Sequence, residues 1–171
     1  MARNIEIKAH ATDMSALEHR AAALASEGPV EIFQDDTFFQ CANGRLKLRK
    51  FAPDHGELIF YQRSDVAGPK ASFYRRASTC EPDTLCQTLA LAYGVVGRVI
   101  KRRTLYMVGR TRVHLDRVEG LGEFVELEVV LDDLEELADG EKEARTLMTQ
   151  LAIQPADLLQ GAYVDLLGNA T

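Results

Sequence analysis

Residues Asn4-Ile5-Glu6-Ile7-Lys8 alternate polar and apolar at a period of two, which predicts a half-buried strand with Asn4, Glu6 and Lys8 on one face. Asp13 is a good helix N-cap, and Met14, Leu17, Ala21 and Leu24 follow at helical spacing, predicting an amphipathic helix that ends at Gly28-Pro29. Strand signals resume from Val30 and run through Asp36 to Cys41. Asn43-Gly44 then reads as a turn and Arg45-Leu46-Lys47-Leu48-Arg49 alternates without a break, so a hairpin is expected here. Two further strand-like runs rich in Phe and Tyr, Glu57 to Arg63 and Lys70 to Arg76, flank Gly68-Pro69. A second helix is expected over Glu81 to Ala92, where Leu85, Leu89 and Ala92 share a face. The β pattern returns over Val99 to Met107, Thr111 to Asp116 and Glu123 to Leu131. A third helix covers Glu141 to Ala152, and a short helical piece lies around Ala162 to Leu167.

This order is not a regular strand–helix alternation, which disfavours a parallel doubly wound sheet. An α+β fold with about eight mostly antiparallel strands, in one domain over residues 1–171, fits better. At 46% hydrophobic and 27% charged residues the composition is that of an ordinary globular chain. Cys41, Cys80 and Cys86 form no CxxC pair and do not combine with the histidines in a zinc spacing. A disulfide framework is therefore not expected, and a reducing cytoplasm is. Charged Arg3, Glu6 and Lys8 near the start and the lack of a long apolar run argue against a membrane partner.

The net charge of −6 averages unlike segments. Residues 129 to 171 hold nine acids and two bases, whereas residues 45 to 112 hold fourteen bases and five acids, a local +9. A basic middle within an acidic protein points to an anion-binding surface made by the fold, not to a general nucleic-acid coat. The polar positions of the strands are nearly all ionisable, and like signs repeat within a strand. Arg45, Lys47 and Arg49 share one face, as do Lys101 and Arg103; Arg112, His114 and Asp116 share another, and Glu126 and Glu128 a further one. A solvated outer face accounts for any one of these strands. It accounts poorly for all of them, because adjacent like charges repel and ordinary surfaces intersperse the signs. A polyphosphate with a divalent cation reconciles the segregation: guanidinium and ammonium groups bind its oxygens while carboxylates hold the metal.

These residues resemble the CYTH superfamily, the triphosphate tunnel metalloenzymes. Its N-terminal ExExK signature is similar to Asn4-Ile5-Glu6-Ile7-Lys8. Further similarity lies in Leu46-Lys47-Leu48-Arg49, in Val99 to Arg103, in Leu115-Asp116-Arg117-Val118-Glu119-Gly120-Leu121-Gly122, in Glu126-Leu127-Glu128 and in the tail Gly161 to Leu167. The resemblance implies a closed antiparallel β-barrel, or tunnel, with charged residues inside and helices packed outside. It implies Glu6, Asp116, Glu126 and Glu128 on the metal side with Mg²⁺ or Mn²⁺, and Lys8, Lys47, Arg49, Lys101 and Arg103 clasping phosphates. Arg45 and Arg112 have the strand parity for the same role. Lys8, Glu126 and Glu128 are the implied catalytic residues. Tyr74 and His114 read as structural, and the inward face at Arg63, Lys70, Arg75 and Arg76 stays open. One departure is that Asn4 stands where the signature has its first Glu; an amide is a poor Mg²⁺ ligand, so a two-metal mechanism is in question.

The implied activity is metal-dependent processing of a small-molecule triphosphate, with a class IV adenylyl cyclase converting ATP to cyclic AMP and pyrophosphate as the first expectation. The alternatives are hydrolysis of tripolyphosphate or thiamine triphosphate and, in another class, a module that binds a polyphosphate without turning it over. A homodimer is compatible with the resemblance. Nucleic acid is not an expected partner, because the bases alternate with apolar residues and few exposed aromatics are available for stacking.

Overall fold

Strands with one apolar and one ionic face can bury the apolar side under helices, and an antiparallel sheet that curls onto itself encloses the ionic side. The computed structural model describes residues 2–169; the expected domain span extends to Met1, Ala170 and Thr171, which lie outside the described residues. Its strands are β1 (Ala2–His10), β2 (Glu27–Phe39), β3 (Arg45–Ala52), β4 (His55–Arg63), β5 (Lys70–Thr79), β6 (Val95–Val108), β7 (Thr111–Val118) and β8 (Gly122–Leu131). The helices are α1 (Met14–Leu24), α2 (Pro82–Tyr93), α3 (Leu137–Gln150) and α4 (Tyr163–Asn169), with a short 3₁₀ turn at Pro155–Asp157. All pairings are antiparallel in the order β1-β5-β4-β3-β2-β6-β7-β8, and β8 pairs back onto β1, so the sheet closes in a ring.

The hydrophobic core lies outside this ring. Outward residues Ile5, Ile7, Val113, Leu115, Val125, Leu127 and Val129 are fully or almost fully buried. They pack against Met14, Leu17 and Ala21 of α1 and Ala144, Leu147 and Met148 of α3. On the opposite flank α2 sets Leu89 against Phe39 and Leu48. The inward positions are ionic in the middle of the ring and turn apolar at one end, where Phe38, Val99 and Phe124 pack with Ala162, Tyr163 and Val164 at the start of α4. Among the described residues no helix is long and apolar enough to cross a membrane.

Element types follow the expected pattern, with shifted ends. Asp13 caps α1 as expected, its side chain accepting from the Ala16 N–H at 2.9 Å, but the helix ends at Leu24 and Gly28-Pro29 already lies in β2. Here β2 changes register against β6 between Glu27 and Val30, and Gly28 has φ of +107°. A Cβ on Gly28 would stand 2.6 Å from the Leu105 carbonyl oxygen, so the close approach of β2 to β6 requires glycine as well as the positive φ. Helix α3 starts at Leu137, one turn before the expected Glu141, because Gly140 lets its first turn lie directly on the sheet. A Cβ on Gly140 would come within 2.6 Å of Leu131 and 2.8 Å of Ile5, whose strands β8 and β1 carry Glu126, Glu128 and Glu6 of the tunnel. Gly140→Val is expected to overpack this contact and lower stability by about 1–3 kcal/mol. Urea or thermal unfolding checks it, and an unchanged midpoint would show that α3 does not need this close approach.

Candidate active site in the tunnel

Because the strands alternate, every second residue of each strand points into the ring, and these residues enclose a cavity of about 340 Å³. Eight cationic and five acidic side chains border it. That excess of positive charge suits a polyanion, and placing it inside a closed ring explains how an acidic protein can offer it. The cations are Lys8, Lys47, Arg49, Arg63, Arg76, Lys101, Arg103 and Arg112, and the carboxylates are Glu6, Asp36, Glu57, Glu126 and Glu128.

Strand register decides which charges meet. Lys8 lies opposite Glu126, which lies opposite His114; Glu6 lies opposite Glu128, which lies opposite Arg112. The Lys8 ammonium is 2.9 Å from Glu126, and Arg112 donates to Glu128 at 2.8 Å. Arg103 donates to Glu126 as well, and it grips Asp116 with two bonds of 2.6 Å. Asp116 also accepts from Lys101 at 3.2 Å and from the Tyr163 hydroxyl at 3.0 Å. On the facing wall Asp36 of β2 accepts from Lys47 at 2.7 Å and from Arg49 at 2.7 and 2.8 Å. Arg63 reaches Glu6 at 2.7 Å.

Burial sets the electrostatics of this cluster. Burial and the neighbouring Arg49 guanidinium push the Lys47 ammonium down to about 7, against the opposing pull of Asp36. Lys101 is lowered by burial and by Arg103, and Lys8 by burial, which Glu126 only partly offsets. Burial works to raise the Asp36 carboxyl, but Arg49 and Lys47 hold it well below the usual carboxylate range; Glu126 is likewise held low by Lys8 and Arg103 against its own burial. Asp36 and Glu126 are therefore held in the ionised form, and Lys47 exchanges its proton near neutrality.

The structure brings together most of the residues singled out from the sequence. Lys8, Lys47, Arg49, Lys101, Arg103, Arg112, Glu6, Glu126 and Glu128 all line the cavity. Arg45 does not: despite its parity it sits at a mouth, bonded to Asp165 at 2.8 Å and to Asp65. Asp116 is completely buried beneath Lys101, Arg103 and Tyr163, and it is not among the residues bordering the cavity. Of the strands whose inward face was open, Arg63 and Arg76 line the cavity, and Arg75 is exposed on the outside.

Several tunnel residues escaped sequence reasoning. Asp36 is 2% exposed and anchors two cations, yet in the sequence it is only the second of two adjacent acids, Asp35-Asp36, with no alternation of charge to mark its face. Tyr163 comes from α4; its ring lies 3.7 Å from the Lys8 ammonium and 4.9 Å from that of Lys101, so it holds both lysines by cation–π contact. His114, expected to be structural, lines the cavity with its Nδ1 buried and unpartnered. Its parity with Arg112 was the available signal.

Ligand atoms of His114, Glu126 and Glu128 lie within 4.8 Å of one another, and among the described residues this is the one group of that kind. Two ionised carboxylates beside an orphaned imidazole nitrogen fit a divalent cation. Glu6 and Asp116 are not in the group; each is committed to cationic partners.

The chain belongs to the CYTH domain family, whose model matches residues 2–163. It is 30% identical over 168 residues to an Aeromonas hydrophila protein named adenylate cyclase CyaB, covering 93% of this chain and 85% of the other. A Pyrococcus horikoshii structure shares the fold at a TM-score of 0.85 and 20% identity, over 96% of this chain and 99% of that one. A Hippeastrum protein, put forward as an adenylyl cyclase and described as having a dominant triphosphatase activity, aligns at a TM-score of 0.69 and 15% identity over 98% and 96% of the two chains.

Asp36→Asn leaves Lys47 and Arg49 buried without their anion, which is expected to cost about 3–5 kcal/mol in the ligand-free protein. Tripolyphosphate should then raise the unfolding temperature more in the variant than in the native protein; equal increments would show that Asp36 and the ligand do not share those cations. A second expectation concerns pH. Below pH 7 Lys47 already carries its proton, and above it the amine must be protonated as a polyphosphate arrives, so affinity falls as pH rises and binding takes up protons. Calorimetry at pH 8 in buffers of different ionisation enthalpy measures this uptake, which Lys47→Arg should reduce while retaining binding.

Proposed function

We propose that the protein is an adenylyl cyclase that folds the triphosphate of ATP into the tunnel and closes it to cyclic AMP with a divalent cation. The observation that carries the reading is the juxtaposition, inside one closed ring, of the Lys47, Arg49, Lys101 and Arg103 cations with the His114, Glu126 and Glu128 group. The likeness to the CyaB cyclase along most of both chains supports the choice of ATP.

In this reading Lys8, Lys47, Arg49, Lys101, Arg103 and Arg112 hold the phosphate oxygens and take up the charge that builds on them as the bond to the leaving group breaks. Glu126 and Glu128, with Glu6 nearby, would hold Mg²⁺ or Mn²⁺. When bound, the ion neutralises phosphate charge and makes the attacking hydroxyl a better nucleophile. The 3′-oxygen forms its bond to the α-phosphorus, pyrophosphate departs with the electron pair of the broken bridge, and the hydroxyl proton leaves to solvent. Asp36 and Asp116 keep the clasping cations ordered before ATP arrives, so little reorganisation is needed on binding. Hydrolysis at the terminal phosphorus uses the same groups with water as nucleophile, which makes a triphosphatase the second reading.

Incubation with Mg²⁺ or Mn²⁺ and, separately, ATP, tripolyphosphate and thiamine triphosphate distinguishes them by product. Cyclic AMP with pyrophosphate supports the cyclase, orthophosphate the triphosphatase, and saturable binding without product a non-catalytic module. Glu126→Gln and Glu128→Gln are each expected to lower turnover by at least about 100-fold while the fold is retained. Full activity in both variants would remove the metal assignment.

A further inference from the structure

Among the inward positions, Asn4 and His114 each carry a buried polar atom without a partner, Oδ1 and Nδ1 respectively. Asn4 stands two residues before Glu6 on β1, opposite Val130, where a carboxylate would add a third acid beside Glu128. The amide adds no charge there. On the other side of Glu128, His114 Nδ1 lies 3.8 Å from Glu128 Oε1 and 4.0 Å from Glu126 Oε2. These separations are too long for hydrogen bonds. They fall between the roughly 3 Å of adjacent and roughly 4.2 Å of opposite donors around an ion bound at about 2.1 Å. Arg103 faces the ring from β6, lying opposite Asp116 and bonded to Glu126, and leaves His114 Nδ1 to the carboxylates.

We propose that His114 is the third protein ligand of the tunnel's divalent cation, taking the place left by Asn4, and that its nitrogen makes the site select a transition-series ion such as Mn²⁺ over Mg²⁺. The inference rests on the metal-dependent reading above and goes further in naming the ligand set and the ion it prefers. Mg²⁺ keeps an all-oxygen shell and gives up water reluctantly, so a nitrogen donor contributes little to it. Imidazole is a donor for transition-series ions rather than for Mg²⁺, and Mn²⁺ is the ion of that series that also suits a carboxylate-rich shell. The ring is held by its strand, β7, with buried Val113 and Leu115 on either side packed under the helices, so the nitrogen is aimed before the ion arrives.

The test uses the full-length protein without nucleotide. Mn²⁺ binding is read from the loss of the free-ion electron paramagnetic resonance signal, Mg²⁺ binding from its competition with Mn²⁺, and direct ligation from nitrogen modulation of the Mn²⁺ spin echo. The native protein should show the nitrogen modulation. His114→Asn should lose it and bind Mn²⁺ at least about 10-fold more weakly, with Mg²⁺ affinity changed by less than about 3-fold. Glu128→Gln should weaken both ions, and metal-independent tripolyphosphate binding reports that each variant is folded. An absent nitrogen signal, or equal losses for the two ions in His114→Asn, overturns the inference while leaving the tunnel metal in place. If the native protein binds neither ion, with or without tripolyphosphate, the metal-dependent reading itself falls.

Discussion

Everything in this molecule depends on charges buried inside a ring of strands being matched by other charges of the same ring. A lysine or arginine cannot be taken out of water alone, and here most of them meet a carboxylate from another strand of the ring: Lys8 with Glu126, Arg63 with Glu6, Lys47 and Arg49 with Asp36, Arg103 with Asp116. The pairs contribute little net stability compared with an apolar filling of the same volume. They preserve, in place of stability, a set of cations already aimed at one space. The folding energy comes from the other side of the sheet, where Ile5, Ile7, Leu115, Leu127 and their neighbours pack beneath α1 and α3. Separating the two faces in this way lets the site be ionic without weakening the core.

The same separation explains which parts of the molecule were legible in the sequence. Alternation in Arg45 to Arg49 and Glu126 to Glu128 specifies both strand and face, because a one-residue slip would exchange every charge for a leucine or valine. The helices announced themselves by their spacing. What alternation cannot convey is which face lies inside at aromatic-rich strands such as β4 and β5, where Phe60 and Tyr61 or Phe73 and Tyr74 suit either environment. Nor can it say where a strand of correct parity leaves the ring, which is why Arg45 ends at a mouth beside Asp165. Asp36 and Tyr163 were hidden for a further reason. Their roles exist only through partners contributed by other elements, Lys47 and Arg49 of β3 in one case and Lys8 and Asp116 in the other.

Tyr163 joins the two regimes. Its ring belongs to the apolar cluster with Phe38, Val99 and Phe124, yet its face lies against two ammonium groups and its hydroxyl against Asp116. A phenol can end an ionic chamber without leaving its last charges facing hydrocarbon, since the quadrupole and the hydroxyl serve both sides. The start of α4 thus belongs to the site even though it contributes no metal ligand or base.

β1 closes the ring, pairing with β5 over Ala2 to Glu6 and with β8 over Arg3 to His10. Sideways opening would break a whole ladder of backbone hydrogen bonds, so an occupant exchanges only lengthwise through a mouth. Any polyanion held inside must leave in file, past the same fixed guanidiniums that bind it, and one carrying several phosphates will depart more slowly than one with a single phosphate.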